Sequence, residues 1–276
     1  RSFPLEELKP LSKIENINQV KVVLFDKTGT LTYGVPKVQT QYFEEGVDTA
    51  ALEPVVKAME SASTHPLAKA IVEAIKGKAD ASVESSEIPG QGLEATVNGT
   101  RIQVGRFDGE ESSILQAKMK ESMAQGESIV RIYQDGHVVG FYGCADQVRE
   151  DAKSLIETLN RRGIITVMVT GDHETTANVI GQKIGIDHIH SECYPEDKVA
   201  FVKHYKETYG SIMMLGDGIN DAPALALADV SVAMGSGTDV SLETSDIVLI
   251  SNDLCAIKET FDMAKKTQNI IAQNIV

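Results

Sequence analysis

The chain has 276 residues, 42% of them hydrophobic and 24% charged, a globular composition long enough for two modest domains or one large one. Its formal net charge of -14 excludes nucleic acid or an anionic membrane surface as the main partner, since the average surface would repel either, so a phosphate ligand requires a local basic pocket or a metal ion. The three cysteines, Cys144, Cys193 and Cys255, form no CxxC pair and no even-numbered framework, which points to a reducing compartment, the cytoplasm, rather than a secreted disulfide fold.

The chain starts at Arg1 with no apolar run of the signal-peptide kind, and reads as a soluble piece of something longer. Its first clear element is VKVVLF, residues 20 to 25, a continuous β-rich run that delivers Asp26 into a loop of Lys27, Thr28, Gly29 and Thr30. From about 38 to 142 the pattern changes. Helices are expected over 49 to 61 and 66 to 77, followed by alternating strands with hairpins at Asn98-Gly99 and Asp135-Gly136. GKADASVESSE reads as a mobile surface loop. An antiparallel sheet with two helices fits, inserted as residues 38–142 into a first domain made of 1–37 and 143–276.

After the insertion the first pattern resumes. IITVMV (164 to 169) and SIMML (211 to 215) are buried-strand runs, each ending at Thr, Gly or Asp, and DVSVAMG and DIVLI supply two more strands. REDAKSLIETLNRRG and PEDKVAFVKHYKETYG carry apolar residues at helical spacing, with a glycine just past the end. This is an α/β fold, a doubly wound parallel-sheet domain whose ligands bind beyond the carboxyl ends of the strands, carrying an inserted α+β domain. DHIHSECYPED, with His188, His190 and Cys193, matches no closed zinc-site spacing and reads as a loop. The longest apolar stretch, APALALADVSVAM, falls short of the roughly 20 residues of a spanning helix and contains Asp229. The tail has Ile257, Phe261, Ala264 and Ile271 near one helical stripe, read either as a packing helix or as the lead into a membrane segment.

Three strand ends carry loops of one kind: Asp26 with Thr28, then Thr170, Gly171 and Asp172, then Asp217, Asn220 and Asp221. Carboxylates this dense repel one another, and an oxygen-rich site without His or Cys suits Mg²⁺. A central carboxylate can attack a phosphoryl group in line to give an aspartyl-phosphate. Lys198, opening a helix, can neutralise phosphoryl oxygens, and the Thr170 hydroxyl and Gly171 N–H can donate to them.

DKTGTLT, TGD, PEDK and GDGINDAPAL together resemble the P-type ATPases, ion pumps of the haloacid-dehalogenase superfamily. The resemblance implies that Asp26 is the phosphorylated nucleophile, that Asp217 with Asp26 and the Thr28 carbonyl holds Mg²⁺, that Thr170 and Gly171 hold the phosphate, and that Lys198 stabilises it. Lys27, Asp172, Asn220 and Asp221 complete these loops. Phosphatases of the superfamily usually carry a general acid two residues after the nucleophile. Thr28 stands there and cannot take that proton, so the aspartyl-phosphate should persist.

The resemblance also implies that the insertion binds ATP. ESASTHPLAKAIV carries Glu60 and His65-Pro66, and IPGQGLEATVNG carries Gly90 and Gly92, similar to the nucleotide pocket of the heavy-metal-transporting branch. An imidazole can pack beside adenine, a carboxylate can accept from its amine, and glycines permit close backbone approach. Gly105-Arg106 stands where that branch commonly has Gly-Asn, and His173 where it has Asn. The hinge is expected near 33 to 38 and 143 to 149, with Asp146 and Arg149 pairing across it.

The resulting expectation is the cytoplasmic phosphorylation and nucleotide-binding portion of an integral membrane pump, with Mg²⁺ and ATP as cofactors. Its partners are the transmembrane and actuator domains of the same polypeptide, and the heavy-metal ion, zinc, cadmium or cobalt rather than copper, binds outside this region. A free-standing phosphatase and a non-catalytic nucleotide sensor are the competing readings.

Overall fold

The computed structural model describes residues 16–217, 221–234, 247–251 and 253–274. The chain divides into two units: Arg1–Tyr33, Val148–Gly171 and Ile180–Val276 form the first, Gly34–Gln147 with Asp172–Val179 the second. The crossings between 33 and 34 and between 147 and 148 lie outside the span 38–142 expected for the insertion.

The first unit is built on a parallel sheet. Strand β1 (Val22–Asp26) lies between β8 (Ile165–Val169) and β10 (Ile212–Asp217), with β9 (His188–His190) beyond β8, and β11 (Val230–Met234) and β12 (Ile247–Ser251) beyond β10. Val22 to Phe25 are wholly buried because helices cover both faces, and burying each such side chain is worth about 2 kcal/mol. Val22, Leu24, Val167, Val169, Ile212 and Met214 share one apolar cluster with Val202 and Tyr205 of α6 (Pro195–Tyr209) and Leu225 of α7 (Ala222–Leu227). Helix α4 (Ala152–Arg161) packs against α8 (Cys255–Asn274), and Arg162, just past α4, is ion-paired to Asp262. Ile257, Phe261 and Ala264 are buried, as their stripe required. Among the described residues no helix is long and apolar enough to cross a membrane.

Helix α5 (Glu174–Ile184) and β9 were not expected. The segment read as a loop at 187 to 197 therefore contains a short strand, which forms the edge of the sheet. His190 stacks on Phe201 at 3.9 Å and its Nε2 lies 2.7 Å from the Tyr205 hydroxyl, so its place there is explained by packing.

The second unit is a six-stranded antiparallel sheet in the order β2 (Lys37–Phe43), β7 (His137–Ala145), β6 (Ser128–Gln134), β5 (Thr100–Gly105), β4 (Gly92–Val97), β3 (Ser85–Ile88). Both hairpins form where expected. Asn98 and Gly99 have φ of 51° and 79°, and Asp135 and Gly136 of 46° and 82°, the double positive φ that a two-residue turn between twisted strands demands. Helices α1 (Thr49–Ser61) and α2 (Pro66–Ala74) bury Leu52, Val56, Met59 and Ile71 against Ile102, Val104 and Tyr142.

Three features of this unit correct the sequence reading. A third helix, α3 (Ser113–Ala124), packs Leu115, Met119 and Met123 against Tyr133, Val138 and Phe141. Helix α2 stops at Ala74 rather than 77, and the Lys57 ammonium binds the Ile75 and Gly77 carbonyls beyond its end (2.9 and 2.7 Å). The presumed surface loop contains β3, a polar edge strand paired to β4 from Ser85↔Ala95 to Ile88↔Gly92.

Candidate active site

Asp26, Thr170 and Asp217 stand at the carboxyl ends of three neighbouring parallel strands, or one residue beyond, because β8, β1 and β10 are adjacent and in register. Lys198 reaches this end from the first turn of α6, which is fixed by Pro195 at its start and by the Asp197 carboxylate accepting the Tyr194 N–H at 2.8 Å. Its ammonium donates to Asp26 Oδ1 at 3.0 Å and to Asp221 Oδ1 at 3.1 Å. The other Asp221 oxygen accepts the Asp217 N–H at 3.2 Å, and the Asp221 N–H donates back to the Asp217 carbonyl at 2.9 Å. Asp221, expected only to support its loop, is thus the second partner of the lysine.

Burial, and then the charge of Asp221, push the Asp26 carboxyl up to about 7 although Lys198 opposes both. Burial also works against the Lys198 charge, but Asp26 and Asp221 outweigh it and raise its pKa, so it remains an ammonium. The carboxyls of Asp26 and Asp221 thus share one ammonium, while Asp217 is joined to Asp221 through its backbone. Asp26, Asp217 and the Thr28 carbonyl, without imidazole or thiolate, would offer a hard oxygen donor set of the kind that suits a divalent cation such as Mg²⁺, whose charge would oppose the burial that raises the Asp26 carboxyl.

The loop after Asp26 is tightly closed. Thr28 is extended (φ -73°, ψ 123°) and Gly29 has φ 78°. Thr32 ties the loop: its hydroxyl accepts the Gly29 N–H at 3.0 Å, and its own N–H donates to the Lys27 carbonyl at 3.1 Å. Sequence reasoning passed over Thr32, although a Thr five residues after a loop begins is a ready source of such a side-chain closure. Thr170 is 3% exposed and its backbone is bonded to the His190 carbonyl and the Cys193 N–H, both at 3.0 Å. Lys27 is buried. The boundary between the two units falls between Gly171 and Asp172, and Asn220 lies outside the described residues. Asp146 accepts the N–H groups of Gly34 (3.0 Å) and Val35 (3.3 Å), and Arg149 donates to the carbonyls of Thr32 and Gly29.

In the second unit, Glu60 is 6% exposed on α1, and burial pushes its carboxyl up to about 7. His65 caps α2, its Nδ1 accepting the Leu67 N–H at 3.1 Å ahead of Pro66. Gly92 and Gly105 face each other across β4 and β5. A Cβ on Gly92 would stand 2.1 Å from the Val104 carbonyl oxygen, and one on Gly105 2.3 Å from that of Gln91, so both glycines permit a close backbone crossing. The Arg106 N–H donates to the Gln91 carbonyl at 2.7 Å, which joins Gly90, Gly92, Gly105 and Arg106 in one corner. Helix α1, bearing Glu60, packs against β4, which Gly92 opens. Nearby, the fully buried Tyr142 hydroxyl has no hydrogen-bond partner.

Among the described residues, His188, His190 and Cys193 make no group of metal ligands. One such group lies elsewhere, Asp151, Asp253 and Cys255, whose ligand atoms are within 4.8 Å of one another. Both carboxylates accept the Cys255 N–H at the start of α8, at 3.0 and 2.8 Å.

Residues 20–229 match the haloacid dehalogenase-like hydrolase family. Over 270 residues the chain is 42% identical to a zinc-transporting ATPase of Bacillus subtilis (strain 168), covering 95% of this chain and 42% of the relative. Over 279 residues it is 38% identical to a cadmium-transporting ATPase of Staphylococcus aureus, covering 95% and 38%. The chain therefore spans less than half the length of these relatives. Among solved structures, the catalytic domain of the CPx-ATPase CopB-B superposes with a TM-score of 0.73 at 31% identity, over 93% of both chains. A zinc-transporting PIB-type ATPase in an E2.Pi state gives 0.61 at 35% identity, over 96% of this chain and 44% of the other.

Proposed function

We infer the function from the family to which this chain belongs, the heavy-metal P-type ATPases within the haloacid dehalogenase-like hydrolases: it is the ATP-binding and phosphorylation core of a heavy-metal-transporting pump. The observation that carries the reading is the buried Asp26 at the end of the central strand, held by Lys198 at 3.0 Å and followed by Thr28.

An oxygen of the Asp26 carboxylate attacks the γ-phosphorus of ATP. The Asp26 O–P bond forms as the bond from phosphorus to the bridging oxygen breaks, and ADP leaves with that oxygen and its electron pair. Lys198 moves its ammonium from Asp26 toward the phosphoryl oxygens, while Asp221 keeps it oriented. The Thr170 hydroxyl and Gly171 N–H donate to the same group. Asp26, the Thr28 carbonyl and Asp217 are the residues that would hold Mg²⁺, which supplies charge neutralisation at the transferring phosphoryl group. Thr28 offers no carboxylate to activate water, so hydrolysis is slow and the phosphoenzyme lasts long enough to drive conformational work. Lys27, Asp172, Asn220 and Asp221 support the loops, and Asp146 and Arg149 mark the linker.

In the second unit, Glu60 accepts from the adenine amine, His65 packs beside the base, and the corner of Gly90, Gly92, Gly105 and Arg106 lets the nucleotide approach the backbone. The two units are a phosphorylation domain and a nucleotide-binding domain. The full pump adds transmembrane and actuator domains, which makes this the cytoplasmic portion of an integral membrane protein. Zinc, cadmium or cobalt is the preferred cargo. The zinc-transporting relative at 42% identity supports this over copper, represented by a copper-exporting ATPase of Staphylococcus haemolyticus (strain JCSC1435) at 38%.

The test is incubation with γ-labelled ATP and Mg²⁺, acid quench and hydroxylamine treatment, beside Asp26→Asn. An acid-stable, hydroxylamine-labile label absent from the variant is expected. No such label on the unaltered chain, despite ATP binding, would overturn catalysis by this chain in favour of nucleotide sensing.

A further inference from the structure

The loop Lys27–Leu31 departs from regular helical geometry at Thr28 and Gly29, so its carbonyls lack the regular partners of a helix or sheet. Three of the carbonyls from Gly29 to Thr32 are met by one residue far away in sequence. The Arg149 N–H donates to the Leu31 carbonyl at 2.9 Å, its Nε to the Thr32 carbonyl at 3.1 Å, and a terminal guanidinium nitrogen to the Gly29 carbonyl at 3.3 Å. The guanidinium lies over the Tyr33 ring, 5.3 Å from its centroid, and the Tyr33 hydroxyl accepts the Glu150 N–H at 3.4 Å. Thr32 and Val148 form an antiparallel bridge beside these bonds. A planar fork of donors can grip two carbonyls at once, whereas an ammonium is a single point charge.

We propose that Arg149 is a positioning residue for phosphoryl transfer: it holds the Gly29 and Thr32 carbonyls, and the Thr32 hydroxyl in turn accepts the Gly29 N–H, which shares a peptide plane with the Thr28 carbonyl, so that the direction of that carbonyl and the approach of Asp26 are set together. This rests on the phosphorylation reading above. The bond to the Asp26 carboxylate comes from Lys198, while Arg149 grips carbonyls of the loop. Its effect must therefore appear in the geometry of the loop and in the Mg²⁺ dependence, and not in affinity for the nucleotide in the second unit.

The experiment compares the unaltered chain with Arg149→Ala and Arg149→Lys. Phosphoenzyme formation is followed at saturating ATP across a Mg²⁺ series, ATP affinity is measured without Mg²⁺, and the Thr28 and Gly29 amide NMR signals are followed as Mg²⁺ is added without nucleotide. For Arg149→Ala the expected result is about a 10- to 100-fold slower transfer, the size of an approach misplaced by about an ångström. The half-saturating Mg²⁺ should rise severalfold, with displaced Thr28 and Gly29 signals and ATP affinity unchanged within about twofold. Arg149→Lys should recover part of the rate. A folded Arg149→Ala with the original rate, Mg²⁺ dependence and amide signals overturns the proposal, as does an equal loss of ATP affinity. If Arg149→Ala does not fold, Arg149→Lys decides on the same readouts, its unaltered behaviour being the refuting result. Absence of phosphoenzyme in the unaltered chain would refute the reaction instead, and the Mg²⁺ titration would still decide the role of Arg149.

Discussion

Glu60→Gln should stabilise the protein at alkaline pH while weakening ATP binding. Burial raises the Glu60 carboxyl from an ordinary 4.5 to about 7, so the folded chain holds this proton more tightly than the unfolded chain. The stabilisation from that proton is fully present below pH 4.5 and is lost as pH rises through about 7. Each tenfold difference in proton affinity is worth about 1.4 kcal/mol, so the ionised carboxylate costs about 3 kcal/mol at pH 8 but under about 1 kcal/mol at pH 5. Gln keeps the shape and removes the charge. Urea unfolding of both proteins, followed by tyrosine fluorescence, should therefore show Glu60→Gln ahead by about 3 kcal/mol at pH 8 and by less than about 1 kcal/mol at pH 5. Taking the difference between the two proteins cancels other groups, Asp26 included, that titrate in this range. If the advantage is the same at both pH values, or if the Glu60 carboxyl carbon titrates near 4.5 by NMR, the burial argument fails. Nucleotide affinity should move the other way, strengthening in the unaltered protein as pH rises through 7 and staying flat in the variant.

Lys198→Met should slow phosphoenzyme formation about 10²- to 10³-fold, as expected for loss of one preorganised donor, and raise the Asp26 pKa further by removing the cation that lowers it. A rate within tenfold of the original would remove Lys198 from the mechanism. Tyr142→Phe deletes a buried hydroxyl that has no partner, so stability should rise by about 1 to 2 kcal/mol or stay unchanged, read as a shift in the urea midpoint. A loss of more than about 1 kcal/mol would mean that the hydroxyl is bonded to water in solution.

The strand ends of the first unit that carry the candidate site were legible because their signals are local. A buried strand followed at once by an aspartate needs only its own neighbours to be read, and the same holds for Asn98-Gly99 and Asp135-Gly136, whose turn geometry is imposed by two adjacent residues. Elements that depend on distant partners were not legible. Strand β3 is polar and exists because β4 pairs with it. Helix α3 buries Leu115, Met119 and Met123 but leaves Ile114 60% exposed, which blurs its apolar stripe; the usable signal was Ser112, whose hydroxyl accepts the Leu115 N–H at 3.1 Å. Helix α5 was hidden by the β-branched run Thr175, Thr176 and Val179 and by Gly181, where a Cβ would stand 2.3 Å from Ile189 Cδ1. Around Asp26, the strand-end placement of the residues was readable but their pairing was not. Asp221 as the second partner of Lys198, and Arg149 on the carbonyls of Thr32 and Gly29, are set by tertiary approach.

The position of β1 also governs how the protein must be made. The strand bearing Asp26 is synthesised first, yet both of its neighbours, β8 and β10, emerge from the ribosome more than a hundred residues later. The antiparallel strands of the second unit, by contrast, pair almost entirely with neighbours in sequence, and all of them have been translated by Ala145. Short closures are won quickly and long ones slowly. The strands of the second unit can therefore settle while β1 waits as an unpaired aliphatic segment, and Asp26 acquires its surroundings only after Asp217 and Asp221 have been added. A chain halted soon after Ala145 would carry all six strands of the second unit and an Asp26 with neither Lys198 nor Asp221 to meet it.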